Sequence, residues 1–224
     1  MIRNKNSGAE DRTVIAKLRS FIRMRVPAKL NFLSNLLLRL KAMFYYRHIF
    51  GSFGGGSTLG KPVLLTNPHF MHIGNNVHIR QCVRLEAVAC DATYAPELRI
   101  GDNVNIEHFV QISAIGRLII GPNVSIGSRT MILCGHHPFF DVKNPVKIGN
   151  RLAGKKAFIE IGDGTFIGSG VAIMQNVRIG KHVVIGANSV VKSSIPDYSV
   201  VEGNPAAVVM RYDEAQDCWM KVER

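Results

Sequence analysis

From Ile161 onward an aliphatic residue returns at every sixth position, at Ile161, Ile167, Ile173, Ile179, Ile185 and Val191, without a slip. The same spacing occurs at Ile100, Ile106 and Ile112, and after a two-residue slip at Ile120, Ile126 and Ile132. A further set runs Ile73, Ile79, Leu85. An internal period decides an architecture before any residue propensity does. Six matches neither the 3.6 of a helix nor the alternation of a long strand. It fits short strands joined by tight turns, three to a coil, each pointing one aliphatic side chain into a triangular prism. A coil of three hexads buries its Ile and Val row only against the next coil, so several must stack.

The fifth position of the hexads is often small or β-branched, as at Val77, Val104, Val124, Thr165, Val171, Val177, Val183 and Ser189. Gly often follows the lead aliphatic, and Asp-Asn or Pro-Asn comes next, which is turn chemistry placed at corners. This predicts a repeat domain over residues 57–204. Residues 91–99 lengthen one turn, and residues 138–160 form a longer insertion. A regular solenoid does not need such loops, so they point to function. Residues 205–224 leave the repeat and are expected to cap the prism.

The first 56 residues break the pattern. Val14 to Arg25 and Leu30 to Phe50 read as helices separated at Pro27, and Gly51 to Gly56 reads as a flexible joint. Charge sharpens the difference. The 224-residue chain has a net charge of +12, and residues 1–50 hold eleven Lys and Arg against Glu10 and Asp11. The remainder is close to balanced, which argues against a nucleic-acid-binding body. Two readings of residues 1–50 stand: a basic amphipathic pair lying on an anionic membrane, or a helical cap packed on the open end of the prism. The charge-free run Leu30 to Leu38 is nine residues, against the roughly 20 that span a bilayer. Interspersed Arg and Lys argue against a cleaved signal peptide. Cys82, Cys90, Cys134 and Cys218 are irregularly spaced with no CxxC, which suggests thiols in a reducing compartment.

With these hexads, residues 57 to 211 resemble the hexapeptide-repeat acyltransferases, most closely the sugar O-acetyltransferases of the galactoside and maltose type. The resemblance implies an all-β fold, a left-handed parallel β-helix, here preceded by a short helical segment. That hand departs from the usual right-handed crossover. It further implies acyl transfer from acetyl-CoA, a homotrimer, and active sites in the clefts between neighbouring prisms.

The sharper motif is Cys134-Gly135-His136-His137-Pro138. In the sugar acetyltransferases a His-Pro before the long loop supplies the catalytic histidine, which points to His137. Counting from Ile132 agrees, because His136 falls on the inward fifth position and His137 on the outward sixth. His136 remains the second candidate and a substrate contact. The chemistry suits one histidine: an imidazole can take the proton of an attacking hydroxyl and return it to the departing thiolate. Cys134 as a nucleophile is the rival, but the sequence offers it no activating partner.

On the acceptor side, His108-Phe109 aligns with an Asn-Phe of the family, which makes His108 and its neighbour Glu107 candidate sugar contacts. For the donor, Ser169 and Ala187 match positions that bond the pantetheine arm. Lys192 and Arg211 each stand one place from the family's basic residues and are candidate phosphate contacts. A γ-carbonic-anhydrase-like zinc site would need three histidines, and His136-His137 lack the family's spacing, so no metal is expected. A non-catalytic scaffold is the other rival. The expectation is acetyl transfer from acetyl-CoA to a sugar hydroxyl in surface polysaccharide or glycolipid assembly, with amino-sugar N-acetylation as the alternative. The expected location is cytoplasmic, with residues 1–50 offering peripheral contact to the inner face of the membrane.

Overall fold

The computed structural model describes residues 22, 25–61 and 63–222. The expected helix Val14–Arg25 lies outside them apart from its residues 22 and 25. Each hexad folds as a short strand whose lead aliphatic faces inward, and three parallel sheets close around the resulting core. Sheet 1 stacks Ser52–Phe53, Met71–Ile73, Glu97–Ile100, Arg117–Ile120, Phe158–Ile161 and Val177–Ile179. Sheet 2 stacks Thr58–Leu59, His78–Ile79, Asn105–Ile106, Ser125–Ile126, Phe166–Ile167 and Val184–Ile185, then Ser199–Glu202. Sheet 3 stacks Val63–Thr66, Val83–Ala87, Gln111–Ala114, Met131–Cys134, Ala172–Met174 and Val190–Val191. Together they form a left-handed parallel β-helix.

The strands pair in register, so like stacks on like. Leu85, Ile112, Ile132, Ile173 and Val191 form one inward column of sheet 3, and all five are buried. The corners need backbone that turns sharply. Asn76, Asn103 and Asn123 adopt φ of 53°, 57° and 56° between sheets 1 and 2, a left-handed conformation that Asn tolerates better than most residues. Neighbouring side chains tie these corners from coil to coil. The Asn75 N–H donates to Asp102 Oδ1 at 2.7 Å, and Asn123 Nδ2 donates to Asp163 Oδ1 at 2.8 Å.

Four boundaries differ from the sequence expectation. Ser52–Phe53 pairs with His72–Ile73 as the first strand, with Phe53 buried, so the prism begins inside the Gly-rich segment rather than after it. Those glycines serve close approach: a Cβ on Gly54 would stand 2.2 Å from the Gly74 carbonyl oxygen. The two insertions are residues 88–96 and 135–157, since strands resume at Glu97 and Phe158. The tail forms strands of its own, with Ala206 and Val208 packed against the core. Ala207–Asp213 and Cys218–Lys221 turn back antiparallel and extend sheet 2 at its edge.

Pro27 belongs to the second expected helix, which starts earlier than the spacing suggests, at Val26. It sits in the first turn of helix α1 (Val26–Lys41), where a missing N–H costs no helical bond. A π-helical turn, Ala42–Tyr46, and a short turn Arg47–Ile49 follow. Tyr46, Phe50 and Phe53 then close an aromatic cluster, with ring centroids 5.2 to 6.0 Å apart, that fastens the helix to the first coil. Among the described residues no helix is long and apolar enough to cross a membrane.

Candidate active site

Strand Met131–Cys134 carries the chain to the corner between sheets 3 and 1. There Gly135, at φ 147°, breaks the strand and releases the long loop. A side chain at Gly135 would meet Ile115 at 2.5 Å, so this corner is built for glycine on both counts. The break also ends the hexad register. His136 is therefore exposed rather than inward as the spacing predicts, and its backbone pairs antiparallel with Ala153, where the loop returns.

Both imidazoles open on one pocket of about 330 Å3 on the outer face of sheet 3. His137 Nδ1 lies 2.8 Å from the Arg151 carbonyl oxygen. A carbonyl only accepts, so Nδ1 carries the proton and donates it, which leaves the Nε2 lone pair for chemistry in the neutral ring. His136 Nδ1 instead meets the Gln175 side-chain amide, at 3.0 Å from Nε2 and 3.2 Å from Oε1. That amide can donate or accept, so His136 has no assigned tautomer.

The carbonyl that orients His137 is itself held in place. The Arg151 guanidinium donates to the carbonyls of Val146 at 2.6 Å, Asn144 at 2.8 Å and Asp141 at 2.9 Å. The loop is wound around this one side chain. A second tie joins the two insertions, because Lys155 Nζ pairs with the Asp91 carboxylate. Hydrogen bonding to Lys155, helped by Thr93, pushes the Asp91 carboxyl down to about 2.

The sequence reading missed Arg151, and it also missed the opposite wall of the pocket. Glu86, only 8% exposed, accepts from Arg84 Nη2 at 2.7 Å, and Gln111 and Ser113 stand on the adjacent strand. These are outward positions of sheet 3, so their alternation was visible in the hexads. What gathers them beside the histidines is the stacking of coils. Cys134 points inward, 1% exposed, and burial pushes its thiol up to about 11. It is an unreactive core residue.

The other sequence-predicted residues lie elsewhere. His108, Ser169 and Ala187 line a groove of about 520 Å3 along the corner between sheets 2 and 3, together with Phe109, Arg129 and Asn188. Glu107 faces an adjoining hollow on sheet 2 and pairs with Arg80 at 3.7 Å. Neither His108 nor Glu107 reaches the histidine pocket of its own chain. Lys192 is exposed beyond Val190–Val191, and Arg211 is exposed on the antiparallel tail strand opposite Ser199. Neither lines the groove that holds Ser169 and Ala187. The cation that does is Arg129, held at φ 60° with its N–H on the His108 carbonyl. Among the described residues no three His, Cys, Asp or Glu converge on a common point for a metal ion.

Comparison with known proteins agrees with this architecture. The family described as bacterial transferase hexapeptide (six repeats) matches residues 158–193. The putative lipopolysaccharide biosynthesis O-acetyl transferase WbbJ of Escherichia coli is 29% identical over 165 residues, covering 71% of this chain and 81% of that protein. A putative acetyltransferase of Saccharomyces cerevisiae, YJL218W, is 36% identical over 127 residues, covering 56% of this chain and 60% of its own length. Among solved structures, the N-acyltransferase AntD of Bacillus cereus, in complex with dTDP and 3-hydroxybutyryl-CoA, has the same fold. Its TM-score is 0.62 at 24% identity, over 73% of this chain and 84% of AntD. In its repeats, in the prism they build and over most of its length, the chain is similar to the hexapeptide-repeat acetyltransferases.

Proposed function

We propose that the chain transfers an acetyl group from acetyl-CoA to a sugar hydroxyl, with His137 as general base, on the cytoplasmic side of the membrane. The observation that carries this is the 2.8 Å contact of His137 Nδ1 with the Arg151 carbonyl, which leaves Nε2 as a free base facing a pocket. Nε2 takes the proton of the acceptor hydroxyl as its oxygen attacks the thioester carbonyl carbon. The C–S bond then breaks, and the same proton passes to the departing thiolate. No covalent enzyme intermediate is needed, in keeping with the burial of Cys134. The relative WbbJ, named for lipopolysaccharide O-acetylation, supports a sugar acceptor. So does a wall of Arg84, Glu86, Gln111 and Ser113, which offers donors and acceptors to hydroxyl groups.

The donor lies in the groove of Ser169 and Ala187, with Arg129 as the cation nearest its phosphates. Lys192 and Arg211 do not line that groove within one protomer. His108 and Glu107 meet the acceptor only where a neighbouring protomer brings its corner to the histidine pocket, so the working unit of this reading is a homotrimer. In a screen of sugars, lipid-linked sugars and amino sugars with acetyl-CoA, ester products are expected from hydroxyl acceptors. His137→Ala should lower kcat by at least about 10², the scale of a general base, while CoA binding persists. His136→Ala should cost less. Full activity of His137→Ala, or amide products alone, would overturn the reading.

A further inference from the structure

Helix α1 turns most of its apolar side chains away from the prism. Val26, Leu30, Leu33, Leu37 and Leu40 are between 40% and 68% exposed, and Phe32, Leu36 and, beyond the helix, Phe44 are exposed as well. At 3.6 residues per turn, Val26, Leu30, Leu33, Leu37 and Leu40 fall in a stripe roughly 80° wide, with Lys29 and Lys41 just outside its two margins. The side chains that fasten this segment to the prism are Tyr46 and Phe50, both buried in the aromatic cluster. The stripe is thus held at a fixed attitude to the enzyme and nothing in the described chain covers it.

Charge on the same end of the molecule is one-sided. Between Asp11 and Glu86 the sequence has no acidic residue, while residues 25–61 carry six Lys and Arg. An apolar stripe bordered by lysines, on a strongly basic surface, has the chemistry of a helix lying in the interface of an anionic bilayer. Leucines enter the acyl boundary and the lysine stems carry their charges back to the headgroups. We propose that α1 is a membrane-docking surface and that its partner is an anionic lipid leaflet.

Spacings of four and three also suit a parallel helix from another copy. Charge favours the bilayer. The helix carries basic residues and no acidic one, so a second copy would set like charges side by side, whereas an anionic leaflet complements them. The inference is independent of the acceptor proposed above, because docking is read as binding and not as turnover.

The test is co-sedimentation of the full chain with vesicles of phosphatidylcholine alone or mixed with phosphatidylglycerol, at low and high salt. The expected result is binding to the anionic vesicles at low salt, with at least tenfold loss at high salt or on neutral vesicles. The double variant Leu30→Gln/Leu37→Gln should also lose at least tenfold, with its sedimentation mass unchanged and acetyl transfer to a water-soluble sugar retained. Absence of binding by the full chain at low salt would overturn the proposal. So would equal binding by the double variant, or a fall in its oligomer mass, which would assign the stripe to other copies. Should the double variant fail to fold, Lys29→Gln/Lys41→Gln serves the same comparison, and undiminished anionic binding by it is equally fatal.

Discussion

The proposed base His137 is oriented by the carbonyl of Arg151, whose side chain ties down the loop, so the residue-scale question is how much of its effect belongs to Arg151. That guanidinium spends its donors on three loop carbonyls, a planar fork that an ammonium cannot reproduce. Arg151→Ala is expected to lower kcat more than tenfold while leaving KM for acetyl-CoA near its original value, since the donor groove lies on another corner. Arg151→Lys should not rescue it. A matching rise in KM for both substrates would indicate general collapse of the site instead. The His-Pro motif singled out His137 as the candidate base, whereas Arg151 could not be singled out, because nothing in its local sequence announces three backbone acceptors. Burial was likewise beyond local reading for Glu86, whose carboxylate is hidden only once neighbouring coils are stacked.

At the scale of elements, the prism draws its strength from columns rather than from long strands. Many of its strands are only two residues long, so each inward side chain matters. Ile112 lies between Leu85 and Ile132 with no exposed surface. Ile112→Ala is expected to cost about 2–5 kcal/mol, by the lost transfer energy and the cavity left behind, measured by denaturant unfolding. A cost below about 1 kcal/mol would mean that the column relaxes, contrary to a rigid stack. The insertions are held differently, by the polar tie between Asp91 and Lys155. Asp91 titrates below its ordinary value, so its pairing with Lys155 is complete above the usual carboxylate range. It is lost only as pH falls from about 4 toward 2. The clasp between the two loops should therefore persist through mildly acidic conditions.

At the scale of the whole molecule, one protomer holds the two halves of the proposed reaction apart. The histidines stand at the corner of sheets 3 and 1, at one end of a pocket that runs over the outer face of sheet 3, and the Ser169 groove follows the corner of sheets 2 and 3. Between the histidines and that groove lies the length of a four-residue strand, roughly 13 Å at 3.3 Å per residue. A cyclic trimer would bring one copy's groove against the next copy's histidine. Mixing two inactive variants tests this directly. Co-expressed His137→Ala and Ser169→Trp chains, assembling at random, should regain about a quarter of the original activity, because about one site in four then takes both intact halves from different chains. No regained activity, or a monomeric sedimentation mass in an active preparation, would place the whole site in one chain.

The period of six by itself pointed to short strands that coil and stack, because it fits neither a helix nor a long strand, while the left hand of the coil came from the resemblance. The Asp-Asn and Pro-Asn pairs marked corners for the same local reason, since few residues accept the left-handed turn. The motif Gly135-His136-His137-Pro138 marked the site, and its glycine broke the register that would have turned His136 inward. Only the tertiary structure decided where the prism starts, since Phe53 becomes a core residue through aromatic contacts with Tyr46 and Phe50. It alone decided which polar residues share a pocket. Glu86, Ser113 and His137 are far apart along the chain and meet because coils stack in register. It also separated residues that looked like partners: His108 faces the Ser169 groove instead of His137, because adjacent corners of a triangular prism face different ways.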